Sequence, residues 1–96
     1  MIIVSGTIHV DEGAREAYLD GCREAILAAR AADGCLDFHL AADPIERDRI
    51  NIYEQWETVA AVEAFRGSGP SDDQAASITR ADVSQHEVAS TISLTG

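Results

Sequence analysis

The sequence predicts one α+β domain, an antiparallel sheet carrying its helices on one face. Three observations point there. Ninety-six residues suit one hydrophobic core and leave little room for a second, so residues 1–96 read as a single domain. Segments of strand-like alternation and of helical periodicity follow one another as β-α-β-β-α-β, with an extra helical turn before the last strand. The connections are short and polar or glycine-bearing, and no internal repeat, low-complexity tract or linker interrupts the order.

Residues Ile2 to Val10 set Val4, Gly6, Ile8 and Val10 on one face and Ile3, Ser5, Thr7 and His9 on the other, the period of a strand. Asp11 to Gly13 supplies a turn and a helix-cap candidate. Ala14, Tyr18, Cys22, Ile26 and Ala29 then recur at helical spacing to about Ala32. Asp33-Gly34 closes this helix, because glycine after a helix adopts a positive φ without steric cost. From Cys35 to Ala42 alternation returns, with Leu36, Phe38 and Leu40 opposed to Asp37 and His39. The polar, proline-containing stretch Asp43 to Asp48 joins this strand to its neighbour as a hairpin loop.

The third strand, Arg49 to Trp56, puts Ile50, Ile52, Glu54 and Trp56 on one face and Arg49, Asn51, Tyr53 and Gln55 on the other. Thr58 caps a short helix over Val59 to Arg66, with Val59, Val62 and Phe65 in one stripe and Gly67 ending it. Gly67-Ser68-Gly69-Pro70 forces a turn, and Ser71-Asp72-Asp73-Gln74 has the form of a capping box opening a helical segment to about Thr79. Asp82 to Leu94, rich in Val, Ile, Ser and Thr, reads as the fourth strand. The order is that of a ferredoxin-like split β-α-β fold. Ile3, Tyr53, Val83 and Ala89 are expected on the face away from the helices, which a second subunit covers most economically. A homodimer follows.

Seventeen acidic against seven basic residues give a formal charge of -10, which repels phosphate backbones and anionic lipid. Neither nucleic acid nor a membrane is an expected partner. Hydrophobic residues make up 46% of the chain but never run long enough to span a bilayer, and Met1-Ile2-Ile3-Val4 lacks a basic signal-peptide start. The expected location is the cytoplasm, where Cys22 and Cys35 stay reduced and serve as small core filler. Neither cysteine spacing nor any His/carboxylate grouping matches a metal site, so no metal and no cofactor is expected.

One pair of segments is more particular than the element order. Gly34-Cys35-Leu36-Asp37-Phe38, followed by Glu54-Gln55-Trp56 at the end of the third strand and a helix directly after it, resembles the antibiotic-biosynthesis-monooxygenase family. The stretch Ala61 to Pro70 resembles that family's second helix and turn. The resemblance covers nearly the whole chain. It implies a dimeric α/β barrel in which two sheets pack together, with a ligand cavity between the sheet and the helices of each subunit. The activities it implies are cofactor-free oxygenation of phenols, quinol oxidation or haem degradation. The histidines that many members carry in and after the second helix are absent, Phe65 and Gly69-Pro70 standing there instead. The Asn, Trp and His of the haem-degrading branch fall on Gly6, Phe65 and Ala75, so that branch is not matched.

Oxygenation without a cofactor needs a substrate that loses a proton and then passes an electron to oxygen, and a protein that supplies a dry cavity, a proton acceptor and oxyanion donors. Glu54 and Trp56 are the leading pair for such a pocket. They share the face of Ile50 and Ile52, where burial raises a carboxyl pKa toward that of a usable base and an indole can stack on a ligand or donate its N–H. The alternative is that Trp56 fills the core and Glu54 pairs with an arginine. Leu36, Phe38, Ile52 and Phe65 are the candidate lining for a small aromatic ligand, and the same stripe also reads as plain core. His9, His39 and His86 are possible acids or bases, His86 the best placed if its face points inward. Tyr18, Tyr53 and Arg49 are read as surface or interface side chains. The expected function is a cofactor-independent monooxygenase acting on a small aromatic, polyketide-like or quinol molecule. Its alternative is a non-catalytic dimeric binding or stress-response module.

Overall fold

The computed structural model describes residues 1–66 and 72–96, the side chains of 72–74 excepted. Its elements run β1 (Ile2–Val10), α1 (Arg15–Ala31), β2 (Cys35–Ala42), β3 (Arg49–Trp56), α2 (Val59–Arg66), α3 (Asp72–Ser77) and β4 (Ile78–Glu87). The four strands form one antiparallel sheet in the order β2-β3-β1-β4. The split arrangement expected from the element order is the one observed.

The expected faces hold through the centre of the sheet. Ile2, Val4, Ile8 and Val10 of β1 are buried, as are Ile50 and Trp56 of β3. On α1 the stripe Tyr18, Cys22 and Ala29 is buried, so Tyr18 belongs to the core rather than to the surface. Two connected groups of apolar side chains result. One joins Ile8, Val10 and Ile50 to Tyr18 and Cys22; the other joins Ile2, Val4, Phe38 and Trp56 to Ala29 and Val62. Cys22 is buried, Cys35 is half-buried, and both are free thiols.

Local devices hold the elements in place. The Thr58 hydroxyl accepts the Ala61 N–H at 3.1 Å and caps α2. Helix α1 instead starts at Ala14 with no side-chain cap, its N–H bonding the Asp11 carbonyl at 2.9 Å. Gly34 has φ +81°, and a Cβ there would come within 2.7 Å of the Ala61 methyl, so this glycine serves both the turn and the approach of α2. In the hairpin loop the Asp43 carboxylate accepts the Ile45 and Glu46 N–H groups and the Asn51 amide, which holds its pKa down to about 2. One Arg15 nitrogen, Nη1, donates to the carbonyls of Asp43, Glu46 and Arg49, tying α1 to the same loop.

Four further expectations need correction. First, β4 covers Ile78 to Glu87 rather than Asp82 to Leu94, because it pairs along β1 and β1 begins at Ile2, opposite Glu87. One further bond, from the Val88 N–H to the Met1 carbonyl, closes the ladder. Second, a register irregularity between Cys35 and Asp37 takes Leu36 out of the alternation. Cys35 then packs against the core while Leu36 is 50% exposed. Third, Val83 lies opposite Gly6 and therefore on the helix side, while Ile3 and Tyr53 do face away from the helices. Fourth, Ala89 lies beyond the last strand. The turn at 67–70 and the cap at Ser71-Asp72-Asp73-Gln74 lie outside the described residues. Among the described residues no helix is long and apolar enough to cross a membrane.

Candidate functional site

A row of side chains crosses the helix side of the sheet from edge to edge: Phe38 opposite Glu54, Glu54 opposite Val4, Val4 opposite Gln85. The strand period that puts Glu54 in this row also puts Trp56 on the same face, one step along β3. The indole N–H reaches back and donates to Glu54 Oε1 at 3.0 Å. Trp56 is 0% exposed, and the rings of Phe38 and Phe65 close around it at centroid distances of 6.5 and 5.5 Å. Phe38 and Phe65 also meet each other edge-on at 5.5 Å. Edge contacts of this kind contribute about 0.5–1.5 kcal/mol each beyond the area they bury.

The carboxylate is therefore half-buried, with its Oε1 held by the indole N–H. Burial raises the Glu54 pKa, and the Trp56 N–H and the nearby positive charge of Arg66 pull it back in part. Arg66 ends α2 and reaches across the sheet, where its Nη2 donates to Gln85 Oε1 at 2.7 Å. Chemically, the arrangement sets a half-buried carboxylate beside a cluster of three aromatic rings, with an exposed arginine nearby.

Three of the four candidate lining residues lie on this side, together with Trp56. Phe38, Phe65 and Trp56 form the ring cluster, and Ile52 is half-buried in the adjoining apolar group, opposite Gly6 and Leu40. Leu36 does not join them, for the register reason given above. His86 does not either: it lies opposite Ile3, one residue out of phase with the Glu54 row, and so stands exposed on the other face. The inward face on which its candidacy as acid or base depended is therefore not the one it takes. His9 and His39 share the same outer face, His9 beside Arg80 and Glu46, His39 stacked on Tyr53 at 5.4 Å.

Sequence reasoning missed Arg66 and Gln85 as a pair. Arg66 reads as a charge complementing a helix end, and Gln85 gains meaning only from the register of β4 against β1. Among the described residues no three His, Cys, Asp or Glu side chains gather in a way that could hold a metal ion.

The fold recurs among solved structures. A protein of Pseudomonas aeruginosa, PA3566, is 24% identical, with 93% of this chain and 94% of that one covered and a TM-score of 0.80. A candidate antibiotic biosynthesis monooxygenase from Deinococcus radiodurans is 19% identical over the full length of both chains, with a TM-score of 0.83. Rv0793 of Mycobacterium tuberculosis is 22% identical over 96% of this chain and 98% of its own, with a TM-score of 0.78. At these identities the likeness is one of fold. No curated protein sequence matches the chain. The family model for antibiotic biosynthesis monooxygenases matches residues 1–76, from β1 through nearly all of α3, and the chain belongs to that family.

Proposed function

We propose that this protein is a cofactor-independent monooxygenase that acts on a small aromatic, polyketide-like or quinol substrate between its sheet and helices, as a cytoplasmic homodimer. The observation that carries the reading is the half-buried Glu54 carboxylate, bonded to the Trp56 indole at 3.0 Å beside the ring cluster of Phe38, Trp56 and Phe65. Family membership supports the reaction class.

Glu54 accepts a proton from an acidic position of the substrate, a step favoured by a carboxyl pKa lying above its ordinary value. The resulting phenolate or carbanion gives an electron to oxygen, the two radicals combine as a peroxide anion, and Glu54 returns its proton to make the hydroperoxide. Loss of water then leaves a carbonyl. A CH₂ group and O₂ become C=O and H₂O, so all the electrons come from the substrate and no external reductant is required. The protein supplies position, a dry environment and charge control. Phe38, Phe65 and Ile52 orient the ring, and Trp56, fully buried among them, holds Glu54 in place. His86, on the other sheet face, takes no part in this scheme.

The test is oxygen uptake with a panel of naphthols, anthrones and menadiol, with the product examined for an atom from isotopically labelled O₂. Uptake on one compound class with label in the product supports the proposal; none on any member contradicts it. A second reading, a non-catalytic dimeric binding or stress-response module, draws on Trp56 being 0% exposed, which suits a ring that serves as core. It predicts ligand binding with no oxygen consumed.

A further inference from the structure

We propose that His9 is a proton-operated latch: its neutral ring ties the hairpin loop and β4 together across the end of β1, and protonation releases β4. The latch lies on the sheet face away from the helices and stands apart from the oxygenase reading.

The register sets it up. His9 stands opposite Arg49 of β3 on one side and Arg80 of β4 on the other, so two arginines flank a histidine in one row across adjacent strands. Like charges placed directly opposite one another repel. Arg49 is compensated, since it donates to Asn51 Oδ1 at 2.7 Å and pairs with Glu46 at 3.1 Å and Asp43 at 3.5 Å. Arg80 is not. Among residues whose side chains are described it forms no ion pair, although Asp82 lies two residues along on the same face. Its Nη2 lies instead 3.2 Å from His9 Nε2 and 3.4 Å from His9 Nδ1.

The neighbours make opposite demands on the ring. Glu46 Oε1, 3.6 Å from Nε2, attracts a proton to that nitrogen, whereas the Arg80 guanidinium can only donate and needs a ring nitrogen that carries none. A neutral imidazole meets both at once, with Nε2–H turned to Glu46 and the Nδ1 lone pair accepting from Arg80. A protonated imidazole meets only the first. It has no lone pair left and sets a second positive charge against the guanidinium, while its pairing with Glu46 strengthens. The link from Glu46 through His9 to Arg80 therefore breaks at Arg80. The His9 side chain is 17% exposed, and the charged groups set around it are Glu46 and Asp43 from the hairpin, Arg49 from β3, and Arg80 and Asp82 from β4.

What is released is the start of β4. The ladder already shifts register there, between His9 and Val10, and Thr79 Oγ1 donates to the His9 carbonyl at 3.2 Å as a second tie. The strand runs on to Gln85 in the Glu54 row, so a freer start loosens the strand that borders the candidate site.

The experiment follows side-chain NMR and amide hydrogen exchange of the full chain at about pH 8 and about pH 5.5, on either side of the ordinary imidazole range. In the wild type the Arg80 Nε–H signal is expected to move with the same midpoint as the His9 ring signal, and a constant Arg80 signal while the ring titrates overturns the latch. His9→Gln, a neutral side chain with both a donor and an acceptor, keeps the latch closed at either pH. Amides of residues 78–81 are expected to exchange equally in the two proteins at about pH 8, and about fivefold faster in the wild type at about pH 5.5, the factor for one contact between like charges in water. Equal rates at both pH values overturn the proposal. So does acceleration of the same size in all four strands, which is a loss of global stability. Arg80→Met is expected to exchange faster than His9→Gln in these amides at both pH values, and equal protection in the two variants overturns the latch, because Arg80 then holds nothing.

Discussion

A glutamate and a tryptophan two residues apart on one strand meet only because the pleat returns both to the same face, and here it returns them to the face under the helices. That much is legible from the alternation of Ile50, Ile52, Glu54 and Trp56. Leu36 is not, because an irregular register breaks the alternation on which its placement relied. Nor is His86, since its face depends on where β4 pairs with β1. The Glu54 environment has a consequence for stability. Its pKa is raised in the folded protein, so the folded state holds the proton more tightly than the unfolded chain, and stability falls as pH rises from the unfolded carboxyl value through the folded one. Glu54→Gln removes that penalty and keeps an oxygen for the Trp56 N–H. Thermal melts of the variant are expected to lie at or above wild type at neutral pH, with the gap closing below about pH 4. A gap that widens on acidification contradicts the assignment.

Between elements, close backbone approaches and loop hydrogen bonds do much of the positioning. Gly6 has φ +154°, and a Cβ there would lie 2.0 Å from the Asp82 carbonyl oxygen, so β1 and β4 pair closely only without a side chain at this point. Gly6→Ala is expected to cost about 1–3 kcal/mol in urea unfolding, the range for forcing extra volume into a packed position. A change within a few tenths would show that β4 yields easily. At the hairpin the sign of the pH effect reverses. Asp43 has its pKa lowered from 3.8 to about 2, so its hydrogen bonds stabilise the fold above the unfolded value and are lost as pH falls through the folded one. Asp43→Asn is expected to flatten the acid limb of a melting-temperature profile across that window. The hairpin itself was legible in its proline and aspartates. The extent of β4 was not, because a strand's length is set by its partner, and no local composition distinguishes Ser84 inside the ladder from Ser90 beyond it.

For the whole molecule, the sheet face away from the helices carries Ile3, Tyr53, Gln55 and His39, half-buried by their strand neighbours. The element order was enough to read this one-sided architecture. If a second copy covers the face, light scattering gives twice the chain mass, and Tyr53→Glu, which puts a charge at its centre, halves it. A wild type of single-chain mass contradicts the dimer. Chemistry is less legible at this scale, because the fold hosts several activities and only the site's own residues choose among them. The most direct test of the account is therefore the initial rate of oxygen uptake on the best substrate of the panel, compared between wild type and Glu54→Gln. A fall of about 10²–10⁴-fold with the melting temperature preserved is the predicted result for loss of a general base, and an unchanged rate would contradict the account.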